Sequence, residues 1–320
     1  MIKATNAILS KSRLICFLLF ILSFFLLTSC FTGVESTPKI SEKELKKQNV
    51  VDTPEKHVMD GIATTAPSKW HEGKRFYIAD SRAARGAWQI EPVNVADSLQ
   101  GQIAVLTRVD TVPSLTDTPE VQISLVVPAK NAKLEFRTGL TPAQWKSSSR
   151  YSLPHFIEMD VVEAAKKRLA GNTYYILPSR RIAFNGSDTL GTRYQPVTVT
   201  DVLPATEATP LQVFFTDNEN HLSSILMTLG DATTSRRNFE TIFALTDPRQ
   251  RFKHIPDDTW ELIRHGKLRE GMTPEEARLA LGQPDSYKQI PTTGGMVEQW
   301  NFMNGVYLVF EDGVLTRFRQ

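Results

Sequence analysis

HGKLREGMTPEEARLALGQP, residues 265–284, carries a residue suited to a helix boundary wherever a boundary is needed. Gly271 can end a preceding helix. Thr273 with Glu276 three positions later makes a capping box, and Pro274 falls at the first helical position, where its missing N–H is harmless. Glu275 and Glu276 favour the positive end of the helix dipole. Ala277, Ala280 and Leu281 supply an apolar stripe, and Gly282 with Pro284 stops the run. The stretch predicts a short helix over 274–281 that needs an apolar surface to rest on.

Downstream, DSYKQIPTTGG (285–295) reads as a loose connection, followed by EQWNFM, NG, VYLVF, EDG and VLTRF over 298–318. Asn304-Gly305 and Asp312-Gly313 are hairpin signals, so three strands in a meander are expected. With Asn304-Gly305 as a two-residue turn, Met303 faces Val306, Phe302 faces Tyr307 and Trp300 faces Val309. One face then carries Trp300, Phe302, Tyr307 and Val309, and the other Met303, Val306, Leu308 and Phe310. Two helices cover only one face. The other meets either the preceding module or a partner protein, which makes Trp300, Phe302, Tyr307 and Val309 the candidate partner-binding residues. A different turn length would exchange the faces.

Upstream, the chain repeats itself from Trp70 onward. GKRFYIAD (73–80) aligns with GNTYYILP (171–178), IAVLTRV (103–109) with VTVTDVL (197–203), and VQISLVV (121–127) with LQVFFTD (211–217). LEFRTG (134–139) aligns with ILMTLG (225–230), and the segment from His155 to Gly171 with that from His254 to Gly271. A period of about one hundred residues is too long for a solenoid and fits a duplicated domain. Chance similarity between β-rich segments is the competing explanation. QIAVLTRV, PEVQISLVV, YQPVTVTDV and PLQVFFTD are rich in β-branched and aromatic residues, as strands are. Each unit closes with one helix, the first capped by Asp160 and stopped by Gly171. The second is preceded by Asp258 and ended by Gly271, with Gly266 weakening its middle. Several strands and one helix suggest an SH3-like module, a small barrel or an open sheet.

The 38 residues from Thr32 to Lys69 contain no aromatic side chain and read as a polar tether, which as a flexible chain spans on the order of 35 Å. Before them, Lys11 and Arg13 precede LICFLLFILSFFLL (14–27) and then Thr28-Ser29-Cys30. A basic head, a short apolar run and small residues make a bacterial export signal, too short for the ~20 residues of a spanning helix. LTSC (27–30) resembles a lipobox, in which Cys30 is acylated and becomes the mature N-terminus. The alternative is an uncleaved anchor helix reaching Phe31. Cys16 leaves with the signal, so the mature chain has no free thiol for a disulfide, a nucleophile or a metal. The formal charge of +2 also depends on this segment. Without Lys3, Lys11 and Arg13 there are 34 basic against 35 acidic side chains, which is no footprint for nucleic acid.

The order helix, G-M-T-x-E-E, helix, L-G-x-P, strands resembles the SmpA/OmlA (BamE-like) family of outer-membrane lipoproteins. The resemblance covers 258–320 and is carried by Gly271, Met272, Thr273, Glu276, Leu281, Gly282, Pro284, Trp300 and VFEDGVL (309–315). It implies two helices on a three-stranded antiparallel sheet, and a role in outer-membrane assembly or envelope integrity through binding, without catalysis. Two intervening modules and the lack of a match to the family's membrane- or complex-contacting loop set this chain apart.

No catalytic motif emerges. His57, His71, His155, His221, His254 and His265 form no H-x-x-H, H-E-x-x-H or H-x-D pattern, so neither metal nor cofactor is expected. His155 and His254 read as equivalent structural positions in the two units. Asp257-Asp258 read as helix caps, and SRRN (235–238) and AKKR (165–168) as solvated basic surface or, alternatively, contacts to anionic headgroups or glycans. The expected protein is an α+β multidomain chain. It comprises a signal peptide (1–29), a tether (30–69), two related β-rich modules (70–170 and 171–257) and a two-helix, three-stranded module (258–320). The expected function is that of a non-enzymatic, lipid-anchored binding or scaffold factor with an envelope protein partner. It would sit in the bacterial envelope, at the periplasmic face of the outer membrane. The alternatives are a cell-wall hydrolase with its site between the two β modules, and an inhibitor-type binding module.

Overall fold

The computed structural model describes residues 53–114, 118–230, 235, 237–292, 295–303 and 305–320. The export signal, Cys30 and the first part of the expected tether lie outside them. The described chain is α+β, with antiparallel sheets of six, seven and four strands.

The first sheet comprises β1 (Arg75–Ile78), β2 (Gln89–Glu91), β3 (Ile103–Val112), β4 (Glu120–Val127), β5 (Ala132–Arg137) and β6 (Phe156–Glu158), in the order β2-β5-β4-β3-β1-β6. Helices α1 (Ser81–Ala87) and α2 (Pro142–Ser147) are inserted between strands. Helix α3 (Met159–Leu169) follows β6 directly. The second sheet comprises β7 (Thr173–Ile176), β8 (Arg180–Ala183), β9 (Asp188–Leu190), β10 (Gln195–Pro204), β11 (Leu211–Thr216), β12 (Leu222–Met227) and β13 (Phe243–Ala244), in the order β13-β7-β10-β11-β12-β8-β9. The short α4 (Phe239–Ile242) leads into β13.

These orders repeat. β6-β1-β3-β4-β5 corresponds to β13-β7-β10-β11-β12, and each sheet adds its own far-edge strands, β2 in one and β8-β9 in the other. Single backbone bonds recur as well. Gly73 N–H donates to Leu106 O and Gly171 N–H to Val199 O, both at 2.8 Å. A register irregularity follows at once in each copy, between Leu106 and Arg108 and between Val199 and Asp201. The ladders extend from edge to edge and do not close into barrels.

Register corrects the expected alignment in three places. Phe76 pairs with Ala104 and its counterpart Tyr174 with Val197, so Val197 matches Ala104 rather than Ile103. Ile123 pairs with Phe136 and Val213 with Ile225, so Ile225 matches Phe136 rather than Leu134. Ile78 pairs with Phe156 and Ile176 with Phe243, which equates His155 with Ile242 and removes its equivalence to His254.

The helices do not close the modules they follow. Helix α3 buries Val161, Val162, Ala165 and Leu169 in one cluster with Val197, Val199, Val213 and Phe215 of the second sheet. Helix α5 (Asp257–Arg264) buries Trp260 and Ile263 with α6 (Pro274–Leu281) and the terminal sheet. Each helix thus covers the sheet that comes after it. Each fully buried Val, Leu or Phe contributes about 1.5–3 kcal/mol, so these assignments are energetic and not only topological. Helix α5 ends at Arg264 because Gly266 takes a left-handed conformation (φ 64°), well before Gly271. The expected caps are also different: Asp160, Asp257 and Asp258 lie inside first turns and their helices have no side-chain cap.

The expected tether is packed from Thr53 onward. Ile62 is buried beside the second sheet, Glu55 accepts the Leu245 N–H (3.0 Å), and Arg168 Nη1 donates to Val58 O (2.6 Å). The terminal sheet has four strands: β14 (Ser286–Thr292), β15 (Gly295–Asn301), β16 (Tyr307–Glu311) and β17 (Val314–Arg319), paired in sequence order. The expected loose connection is therefore strand β14. Helix α6 has the capping box foreseen from Thr273 and Glu276, and it stops at Gly282 (φ 90°). Among the described residues no helix is long and apolar enough to cross a membrane.

Candidate functional site

The meander register decides the fate of the aromatic patch. Trp300 pairs with Leu308 and Asn301 with Tyr307, and the Phe302 N–H donates to Val306 O (3.0 Å). The connection therefore spans 303–305, one residue more than a two-residue turn. Trp300, Phe302, Val306, Leu308 and Phe310 fall on the helix-covered side, while Tyr307 and Val309 lie on the other. The single face expected from Trp300, Phe302, Tyr307 and Val309 does not exist. Trp300 is buried against Phe310 (centroids 4.7 Å apart) and under the Arg278 guanidinium (4.8 Å). The opposite face alternates apolar with polar groups: Lys288, Gln299, Val309 and Arg317 share one row, and Asn301, Tyr307 and Arg319 another. It is not the second apolar face that seemed to need a partner.

The site that the fold does build lies between the two duplicated sheets. A cleft of about 350 Å³ is bounded by Phe76, Leu153, Phe156, Ile157 and Val161 from one side and by Pro210 and Leu229 from the other. Thr64 and Ser152 complete it, and two carboxylates, Glu158 and Glu207, share the lining. Clefts of this size with apolar walls and few polar groups are the usual form of small-ligand sites.

Strand β1 explains the polar side of this cleft. Lys74 precedes Phe76 and Ile78 at the two-residue period, so it shares their inward face and its side chain is 1% exposed. A buried ammonium is tolerated only with partners. Lys74 Nζ lies 2.8 Å from Glu158 Oε2, binds the Asp160 carboxylate, and donates to Thr65 Oγ1 (3.3 Å). It also sits 5.8 Å and 5.7 Å from the ring centres of Trp70 and Phe76. Glu158 Oε2 further accepts the Thr65 N–H (3.1 Å), so the polar centre fastens the segment before Trp70 to the first sheet. Glu158 is 6% exposed, and its other oxygen, Oε1, has no hydrogen-bond partner among the described residues. At the rim, the His155 N–H donates to Glu207 Oε2 (3.3 Å), and His155 Nδ1 lies 3.4 Å from the same oxygen.

A second cleft, about 360 Å³, lies by the β8–β9 hairpin and contains Arg181, Asp217, Glu219 and His221. Arg181 is 3% exposed, donates to Thr192 O and stacks 5.6 Å from the Phe215 ring centre. Burial lowers its guanidinium to about 10, which the Asp217 carboxylate partly counters. Burial also opposes charge on Asp217, but N–H donation from His221 and Glu219 prevails and holds its carboxyl below the ordinary range.

The other sequence candidates fall as follows. Cys30 and Arg236 lie outside the described residues. Asn238 is not solvated surface: it is buried and caps α4 through the Thr241 N–H (3.1 Å). Lys166, Lys167 and Arg168 are exposed, with Lys166 paired to Asp201 at 2.8 Å. No group of three His, Cys, Asp or Glu side chains suited to a metal occurs among the described residues. Sequence reasoning missed Lys74 and Glu158. The available signal was a lysine on the apolar phase of KRFYI, where the duplicate carries Asn172.

No protein-family model, no curated protein and no solved structure matches this chain.

Proposed function

We infer that this is a cell-envelope lipoprotein, held by an acylated Cys30 at the periplasmic face of the outer membrane, whose folded part works by binding. The observation that carries the reading is the run from Lys11 to Cys30, in which a basic head leads into a fourteen-residue stretch, apolar except for Ser23, that ends in an LTSC lipobox. The inter-sheet cleft supports the binding half, because its buried carboxylate is held in place through Lys74 and Thr65. Anchoring raises the local concentration of such a modest site at one surface. The terminal two-helix module adds support through its resemblance to BamE-like lipoproteins, and an envelope protein partner is proposed on that ground. Cys30→Ala should move the protein from the membrane to the soluble fraction and abolish incorporation of labelled palmitate. Retention in the membrane by the variant would sink the reading in favour of an uncleaved helix.

A cell-wall hydrolase is the second reading, favoured by Glu158 and Glu207 sharing one cleft. Glu207→Gln decides between them: loss of a measurable envelope-degrading activity would establish the hydrolase, and unchanged cell-wall turnover speaks against it.

A further inference from the structure

The β8–β9 hairpin, which the first sheet lacks, builds a cleft of different character from the inter-sheet one. Arg181 pairs with Thr189 and Ala183 with Ser223, so Arg181, Thr189 and Ser223 stand on one face of the sheet and line this cleft together. Buried charges are ordinarily paired, as Lys74 is with Glu158. Arg181 is 3% exposed and forms no ion pair among the described residues. Its three nitrogens differ in surroundings. Nη2 donates to Thr192 O and Nε is enclosed, whereas Nη1 has no partner among the described residues and is not enclosed. Gly191 keeps that nitrogen open. A Cβ there would lie 2.5 Å from Nη1, and the Gly191 backbone has no left-handed φ that calls for glycine.

The carboxylates of the cleft do not fill this role. Asp217 Oδ1 accepts the Glu219 and His221 N–H groups, both at 2.9 Å, which commits it to its own turn. Asp217 and Glu219 still line the cleft, so a multiply charged anion is repelled where a single carboxylate is tolerated. A guanidinium N–H without an acceptor is best satisfied by a carboxylate, and the neutral Thr189, Gln195 and Ser223 beside it suit hydroxyl groups.

We propose that this cleft binds a small polyhydroxy acid, with its carboxylate accepting from Arg181 Nη1 and its hydroxyls meeting Thr189, Gln195 and Ser223. The same chemistry occurs on a free sugar acid and on a uronic acid residue of a glycan, and the test separates the two. The proposal rests on the reading of the folded part as a binding protein and is independent of the anchor. Failure of Cys30→Ala to release the protein would leave it intact, and failure of acid binding would leave the anchor intact.

The experiment is calorimetric titration of the full-length protein, in nanodiscs of zwitterionic lipid, with D-glucuronate, methyl β-D-glucuronide, D-glucose, D-glucosamine and hexanoate. Glucuronate should bind about tenfold or more tightly than glucose, because a charge-assisted bond is gained, and about threefold or more tightly than hexanoate. Tighter binding of the methyl glucuronide would also support the proposal and assign the carboxylate to a glycan, whereas tighter glucuronate assigns it to the free acid. Arg181→Gln should reduce the preference over glucose to about twofold or less. Because Arg181 is buried and its loss can unsettle the hairpin, Asp217→Asn serves as the second variant. It keeps an acceptor for the turn and removes a repelling charge, so glucuronate should bind about twofold or more tightly. Weaker glucuronate binding in a folded Asp217→Asn variant would overturn the proposal, as would an unchanged preference in Arg181→Gln. Tighter glucosamine would overturn it in favour of a cation site. Equal binding of glucuronate with glucose or with hexanoate, or no saturable binding of any probe, would overturn it as well.

Discussion

The two duplicated sheets share five strands in the same order, yet they are stabilised by different means. The first encloses an aromatic core in which Trp70 lies 5.1 Å from Phe76 and 5.3 Å from Trp145, and Trp88 lies 4.6 Å from Phe156. The second is aliphatic around Val197, Val199 and Val213, with Tyr174, Phe239 and Phe243 clustered at one end and α3 laid over it. At equivalent backbone positions the first copy has buried Lys74 and the second exposed Asn172. Backbone pairing and side-chain content are thus separable. The topology is kept while much of the interior differs, and the buried ammonium of Lys74 has no counterpart at the matching position of the second copy.

The sharpest way to break this contrast is to remove the charge. Lys74→Met leaves Glu158 buried without its cation and should destabilise by about 3–5 kcal/mol. Asn172→Met, at the matching exposed site, should change stability by about 0.5 kcal/mol or less. Urea unfolding of both variants measures the difference, and comparable losses would mean that the buried ammonium is no more important to stability than the exposed amide.

The second contrast concerns ownership of α3. Leu169→Ala should cost about 2–5 kcal/mol through lost burial and the cavity left behind. Amide hydrogen exchange should accelerate in β10 and β11 while β4 and β5 stay protected, because Leu169 belongs to the second core. Faster exchange in β4 instead would return α3 to the first module.

These assignments show what the residues alone disclose. The duplication was legible because Gly73 and Gly171 punctuate matching apolar alternations. Its register along β3 and β10 was one residue off although both copies carry the irregularity at the same place, after Leu106 and after Val199, because apolar content alone does not fix which residues pair. The amphipathic stripe of VVEAAKKRLA showed that one face is buried, but a stripe does not name the surface it meets. The turn at Asn304-Gly305 looked like a two-residue loop, whereas pairing of Trp300 with Leu308 needs a connection one residue longer. That single residue separated Tyr307 and Val309 from Trp300 and Phe302. Asp312-Gly313 was read correctly because both residues take positive φ (49° and 79°), which is what a two-residue hairpin requires. The inter-sheet cleft combines side chains from Thr64 to Leu229 and leaves no local pattern.

The hairpin found only in the second copy offers a smaller effect. A Cβ at Gly191 would overlap the Arg181 guanidinium, which is itself buried and lies 5.6 Å from the Phe215 ring centre. Gly191→Ala should therefore cost about 1–3 kcal/mol, and Arg181→Met should relieve much of that loss in the double variant. Additive losses would show that the clash is not with Arg181. Asp217 in the same cleft adds a pH dependence. Its folded carboxyl lies below the ordinary range, so the unfolded chain binds more protons and stability rises with pH. The contribution is complete above the ordinary carboxylate value of about 4 and disappears as pH falls through the lower folded value. Melting temperature should fall on acidification through this window, and less steeply in Asp217→Asn.

The smallest effects compare two helix starts of identical design. TPAQ (141–144) opens α2 and TPEE (273–276) opens α6, each with a threonine cap, a proline at the first helical position and a reciprocal side-chain bond. Gln144 Oε1 accepts the Thr141 N–H at 2.9 Å and Glu276 Oε2 accepts the Thr273 N–H at 2.7 Å. Thr141→Ala and Thr273→Ala should each cost about 1 kcal/mol, since each leaves one helical N–H without its acceptor. The two boxes differ only in charge: Glu276 adds a charge-assisted bond at the positive end of the dipole, and Gln144 does not. Glu276→Gln should therefore lose about 0.3–1 kcal/mol, and Gln144→Glu should gain a similar amount. Thermal unfolding in low and high salt checks both, because a charge–dipole term shrinks with screening while the cap bond persists. Equal values at both salt concentrations would leave the hydrogen bond alone as the source of the difference.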